Sequence, residues 1–174
     1  MKRKMSPALM IACIGILLAS PAGWAAAPLS VGGVFPDLSP GFSLPTPKDG
    51  MVIIEIFSMY CPYCQKEAPN VNALYDKIQA SPSLKNRVRL VGIGVGNSSY
   101  EVDVFRKKYK IRFSLYPDGD FIIHKRLGEP RTPHFVGVKI NPDGAHRIFY
   151  SHLGELGDID RFLAEMIRLS GLKP

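Results

Sequence analysis

Two cysteines separated by two residues, Cys61-Pro62-Tyr63-Cys64, stand where one residue pattern ends and another begins. Before them, Met51–Phe57 is a near-continuous apolar run bounded by Gly50, the pattern of a strand buried on both faces. After them, Val71, Leu74, Tyr75 and Ile78 recur at i, i+3, i+4 and i+7, which predicts a helix from Pro62 to about Ala80, kinked at Pro69. Cys61 therefore falls at or near the first turn of a helix. Unpaired backbone N–H groups and the positive end of the helix dipole favour thiolate over thiol there. A thiolate so placed attacks a disulfide, and Cys64, one turn further in, resolves the mixed disulfide.

The remaining chain reads as alternating strands and helices. Arg87 to Val95 is a second buried strand, and Ser98-Ser-Tyr-Glu101 is a capping-box signature opening a helix with Val102, Phe105 and Tyr109 on one face. Ile111 to Tyr116 alternates as a short strand, Pro117-Asp-Gly119 turns the chain, and Asp120 is the expected cap of a short helix through about Leu127 with Phe121, His124 and Leu127 on its face. His134 to Ile140 and His146 to His152 form a hairpin around Asn141-Pro-Asp-Gly144. A terminal helix over Asp158 to Ser170 buries Ile159, Phe162, Leu163 and Met166 and stops at Gly171. Residues 28–50 are rich in Pro and Gly and give extended pieces on the domain edge. The order βαβα, short helix, ββα is that of an α/β domain, a central sheet flanked by helices on both faces.

Compartment and partners follow from the ends and the charges. Residues 1–27 have the form of a secretory signal: Lys2-Arg-Lys4, an apolar run from Ala8 to Ala19, then small residues that suit cleavage after Ala25. An uncleaved membrane anchor is the competing reading, and either way residues 28–174 make one domain. The formal charge of +7 falls to +4 without the three cations of that segment, an excess that suits acidic partners or a membrane surface and equally an ordinary soluble surface. No cluster of Lys and Arg interleaved with aromatics points to nucleic acid. Cys13 lies inside the signal, so the exported chain keeps one cysteine pair, with no second CxxC or CxxH to complete a zinc site.

Four further positions are candidates for the chemistry. Glu55 is a carboxyl group in the middle of the apolar strand. Burial there would raise its pKa and suit it to relay a proton for Cys64, whereas at a sheet edge it would be solvated. Pro62 and Tyr63 tune the potential through the polarity around Cys61, Pro62 being also a good first-turn residue. Thr132-Pro133 opens a strand after a loop. A cis X–Pro bond in that place presents backbone groups to a peptide substrate, and an ordinary loop end is the alternative. His124, His134, His146 and His152 show no ligand spacing with a cysteine.

Glu55-Ile-Phe-Ser-Met-Tyr-Cys-Pro-Tyr-Cys-Gln-Lys-Glu-Ala-Pro69 resembles the active-site segment of the thioredoxin superfamily, with its acid six residues before the first cysteine and its proline eight residues after it. Arg131-Thr-Pro-His-Phe-Val136 resembles the superfamily's cis-proline loop. Val31-Gly-Gly-Val-Phe-Pro36 and Lys108-Tyr-Lys-Ile-Arg-Phe-Ser-Leu-Tyr-Pro-Asp118 resemble the exported TlpA-like, or redoxin, branch. The resemblance implies a thioredoxin-like fold, cis geometry at Pro133, a peptide groove beside Cys61, and no bound cofactor beyond the redox-active Cys61–Cys64 disulfide. It further implies a periplasmic or otherwise extracytoplasmic thiol–disulfide oxidoreductase. Such a protein reduces disulfides in exported proteins or apocytochromes and is itself reduced by a membrane donor of the DsbD/CcdA type. Tyr60 replaces the usual tryptophan, and Ile56-Phe-Ser-Met-Tyr-Cys61 also resembles exported oxidants of the DsbA type, so a disulfide donor is one alternative. A thiol peroxidase, with Ser58 near the hydroxyl position but Ile54 in place of the motif's proline, is another. A soft-metal chaperone holding Cu(I) on both cysteines and a histidine is the third.

Overall fold

The computed structural model describes residues 29–38, 42–47, 49–141 and 144–173; the expected signal segment and Cys13 lie outside them. The apolar run forms strand β1, Met51–Phe57, every residue of it buried. It is the central strand of a five-stranded sheet in the order β3-β2-β1-β4-β5. β1 pairs in parallel with β2 (Val88–Val95), which pairs in parallel with β3 (Ser114–Asp118). On its other side β1 pairs antiparallel with β4 (His134–Ile140), which forms a hairpin with β5 (His146–Leu153). Helices α1 (Pro62–Ala80), α2 (Ser99–Tyr109), α3 (Ile122–Arg126) and α4 (Ile159–Ser170) complete an α/β, thioredoxin-like domain.

The twofold period of β1 divides the molecule into two cores. Met51, Ile53 and Phe57 enter the first, with Leu74 and Ile78 of α1, Phe105 of α2, and Phe162 and Met166 of α4. Val52, Ile54 and Ile56 enter the second. The chain steps from β1 to β2 to β3 in one direction across the sheet. Right-handed crossovers then place α1 and α2 on the same face. Among the described residues the second face holds the short α3, through Ile123, and the N-terminal segment, whose Leu29, Phe35, Leu38 and Phe42 share one core with Val136, Val138 and Ile148. That segment also bridges β5 through Val34 and Arg147, Phe35 N–H donating to the His146 carbonyl at 2.7 Å. So the Pro/Gly-rich stretch is a cover as well as an edge.

Three local expectations shift. The strand expected over Ile111 to Tyr116 runs from Ser114 to Asp118, because its ladder with β2 joins Val91 to Ser114 and Val95 to Asp118. Pro117 is tolerated there because β3 is an edge strand. Ile111 and Phe113 anchor the preceding connection in the first core. The cap of α3 is Asp118 rather than Asp120: its carboxylate oxygens accept from the Ile123 and His124 N–H groups at 2.9 and 2.8 Å. Phe121, expected on the buried face, is instead exposed, with φ +61°. The expected capping box of α2 forms in full between Ser98 and Glu101, and α4 ends at Gly171 in the left-handed conformation that glycine adopts without strain.

Candidate active site

Cys61 is the N-cap of α1, extended at φ −79° and ψ 116°, and Pro62 fixes the first turn. The half-buried Cys61 thiol is pushed up by burial, but hydrogen bonds outweigh that. Thr132, the backbone and thiol of Cys64 and the backbone of Tyr63 together hold it below the ordinary thiol value. Its Sγ lies 3.5 Å from the Thr132 carbonyl. Cys64, one turn in, is fully buried. Burial raises its pKa strongly, and the negative charges of Cys61 and Glu55 add to that, against a hydrogen bond from the Ser58 backbone. The two thiols therefore differ in opposite directions from the ordinary value.

The turn that presents Cys61 is fixed from three sides. Met59 N–H donates to Asn97 Oδ1 at 2.8 Å, Gln65 Nε2 donates to the Met59 carbonyl at 2.8 Å, and the Tyr60 hydroxyl donates to the Glu101 carboxylate. Asn97 is fully buried and Glu101 already caps α2. The start of α2 thus supports the start of α1.

Two buried carboxyl groups interact with each other, and one of them, Glu55, interacts with both cysteines as well. Glu55 shares the side-chain series of Met51, Ile53 and Phe57, is 2% exposed, and leaves Oε1 without a hydrogen-bond partner. Burial first, then the charges of Glu67 and Cys61, push its pKa up to about 8. Its burial excludes the solvated alternative for Glu55. Glu67, on the inner face of α1, is also buried; its Oε1 accepts from Leu156 N–H at 2.9 Å and its Oε2 from Asn70 Nδ2 at 3.4 Å. Burial raises the pKa of Glu67, opposed by those hydrogen bonds. Glu67 is not among the residues expected from the sequence. The signal was available, since Glu67 lies three residues after Cys64 and four before Val71, on the helix face that carries the apolar stripe.

Opposite Cys61, the Thr132–Pro133 peptide bond is cis. Pro133 is buried, and its carbonyl accepts from Gly154 N–H at 2.9 Å, while Thr132 is half-buried against Cys61. Pro62 and Tyr63 are exposed on the outer side of the first turn. The structure therefore brings together Cys61, Cys64, Glu55 and Thr132-Pro133 at one end of the sheet. His134 faces Ser151 Oγ at 2.9 Å rather than a cysteine. Among the described residues no group of three or more His, Cys, Asp or Glu side chains is arranged to hold a metal ion.

A five-stranded mixed sheet with a CxxC pair at the start of a helix, facing a cis-proline loop, defines a thioredoxin-like redox protein. Residues 40–144 match the model of the AhpC/TSA family, and the chain belongs to that family. No curated protein matches it. Among solved structures it is similar to a putative thiol:disulfide interchange protein DsbE from Chlorobium tepidum. That match has a TM-score of 0.61 at 17% identity and covers 82% of this chain and 98% of that one. It is similar also to StoA from Bacillus subtilis, with a TM-score of 0.54, 24% identity and coverage of 70% and 84%. A secreted Mycobacterium tuberculosis disulfide oxidoreductase homologous to E. coli DsbE gives a TM-score of 0.53 at 21% identity, covering 69% and 82%. At these identities the likeness is one of fold.

Proposed function

We propose that this chain is an exported thiol–disulfide oxidoreductase that reduces disulfides in exported proteins or apocytochromes. The observation that carries this reading is the asymmetry of the two thiols. Cys61 is accessible and its thiolate is favoured, while Cys64 is buried with its thiolate disfavoured, beside a carboxyl group whose pKa lies near 8. The Cys61 thiolate attacks one sulfur of the substrate disulfide, forming a mixed disulfide and releasing the other sulfur as thiolate. Glu55, in its ionised form, takes the Cys64 proton. The Cys64 thiolate then attacks Cys61 Sγ, closes the Cys61–Cys64 disulfide and releases the second substrate thiol. Two electrons pass to the substrate, and an external dithiol must return them. By resemblance that donor is a membrane protein of the DsbD/CcdA type. Thr132 and Pro133 would align the substrate backbone beside Cys61, and Pro62 and Tyr63 would tune the potential. The similar M. tuberculosis oxidoreductase is secreted, in keeping with the signal read in residues 1–27.

The test is the reduction potential of the Cys61/Cys64 pair together with insulin reduction. A potential near that of thioredoxin, about −270 mV, is expected; one near about −120 mV would make the protein a disulfide donor instead. Insulin reduction surviving replacement of both cysteines by serine would overturn the assignment altogether. Membership of the AhpC/TSA family favours thiol peroxidation as the second reading. Peroxide consumption dependent on Cys61 and outpacing disulfide exchange would replace the first reading with it.

A further inference from the structure

Beside the Thr132 carbonyl a groove of about 520 Å³ opens at the end of the sheet. Tyr60, Val95, Gly96, Phe121 and Thr132 are among its lining, and the Thr132 carbonyl lies 3.5 Å from Cys61 Sγ. We propose that this groove receives a bulky apolar side chain of the protein substrate, close in sequence to the cysteine that Cys61 attacks, and that Phe121 is the residue that selects it. This rests on the exchange reaction proposed above and names the substrate feature it prefers.

Phe121 carries the argument. It stands in the left-handed region at φ +61°, where a large side chain is a genuine outlier. It lies in the turn that the Asp118 carboxylate closes by accepting from the Ile123 and His124 N–H groups. Local preference would place Gly or Asn there. The aromatic ring therefore opposes the local backbone, and it is not recovered as core, because Phe121 is 44% exposed. Gly96 makes room for the ring: a Cβ there, at φ +65°, would stand 2.6 Å from Phe121 Cζ. Tyr60, 64% exposed, adds a second aromatic ring to the lining. Two of the polar groups that line it are already engaged. The Tyr60 hydroxyl donates to Glu101, and the His124 Nε2 lies 3.0 Å from the Pro130 carbonyl. Glu129 and Arg131 on the rim are of opposite sign. What the groove offers an incoming chain is mostly apolar surface, and the chain it meets is the one that carries the disulfide to Cys61.

The test uses peptides with one cysteine held as a mixed disulfide with mercaptoethanol. Phe is walked from three residues before the cysteine to three after it, against a parent with Ser at those positions. The reduced wild-type protein is expected to show, at one or more positions, kcat/KM about tenfold above the Ser parent, falling to under about twofold in Phe121→Ala and partly restored in Phe121→Leu. Each ratio is taken within one protein, so it does not depend on how much of a variant folds. No preference at any position in the wild type, or a preference intact in Phe121→Ala, would overturn the groove assignment alone. Failure of the wild type to reduce bis(2-hydroxyethyl) disulfide at all would instead overturn the exchange reaction on which it rests.

Discussion

Glu55 is a carboxyl group on a strand whose every neighbour in sequence is apolar, and its pKa lies near 8 in the folded protein against 4.5 for an ordinary glutamate. Between those values the folded state binds more protons than the unfolded chain. Stability must then fall as pH rises from about 4.5 through about 8, and level off above. Each pH unit between the two values removes up to about 1.36 kcal/mol, so Glu55 alone withdraws roughly 3–5 kcal/mol over that range. Glu55→Gln keeps the shape and removes the titration. The variant is expected to exceed the wild type in stability at pH 8 by about 3 kcal/mol, to lose most of that advantage by pH 5, and to resolve mixed disulfides more slowly. Urea unfolding of the reduced proteins across this range measures it. A small slope of the same sign remains for Glu67, whose pKa is also raised. A full wild-type slope in Glu55→Gln would show that the buried carboxyl is not the titrating group. The composition of the strand announced this residue, because an acid carried into the interior by an apolar run is costly to ionise there.

Among the elements, α1 and β1 were legible to the residue, since a sharp change of period and a proline at the first helical position mark their junction. What was not legible is what α1 is tied to at a distance. Glu67 accepts a hydrogen bond from Leu156 N–H, 89 positions along the chain, just before α4 begins. Such a partner is set by tertiary packing and leaves no local trace. The same holds for Asp118 against Asp120: both stand before α3, and the pairing of β3 with β2 as far as Asp118 decides which carboxylate faces the turn. Glu67→Ala would leave the buried Leu156 N–H unpaired, at a cost of about 1–3 kcal/mol. Amide exchange should localise the effect, with protection lost at Leu156 and the first turn of α4 and retained in β1 and β2. Uniform loss over the whole sheet would show that Glu67 stabilises the fold globally rather than holding that junction.

For the whole molecule the sheet separates chemistry from stability. Cys61, Cys64 and the three long helices belong to the core on one face; Phe35, Leu38 and Phe42 of the N-terminal segment belong to the core on the other. Pro and Gly spacing showed that residues 28–50 are extended, but which face they cover depends on β4 and β5, whose side chains are specified about a hundred residues later. Without that cover Val136, Val138 and Ile148 would meet water on a face that α3 is too short to protect. Phe35 is 5% exposed within this cover, so Phe35→Ala should cost about 3–5 kcal/mol in unfolding free energy. The Cys61/Cys64 potential depends on the helix start, the thiol hydrogen bonds and the buried carboxyls, all on the opposite face or at the sheet end. Its shift in the same variant should stay within about 10 mV, a third of the roughly 30 mV that corresponds to about 1.4 kcal/mol. Chemical unfolding and redox titration on one preparation measure both quantities. A large loss of stability with the potential unmoved is the signature of two cores sharing one sheet. A potential that moved in proportion to stability would mean that the N-terminal cover reaches the cysteines through the sheet, and so regulates the redox pair as well as sheltering the second core.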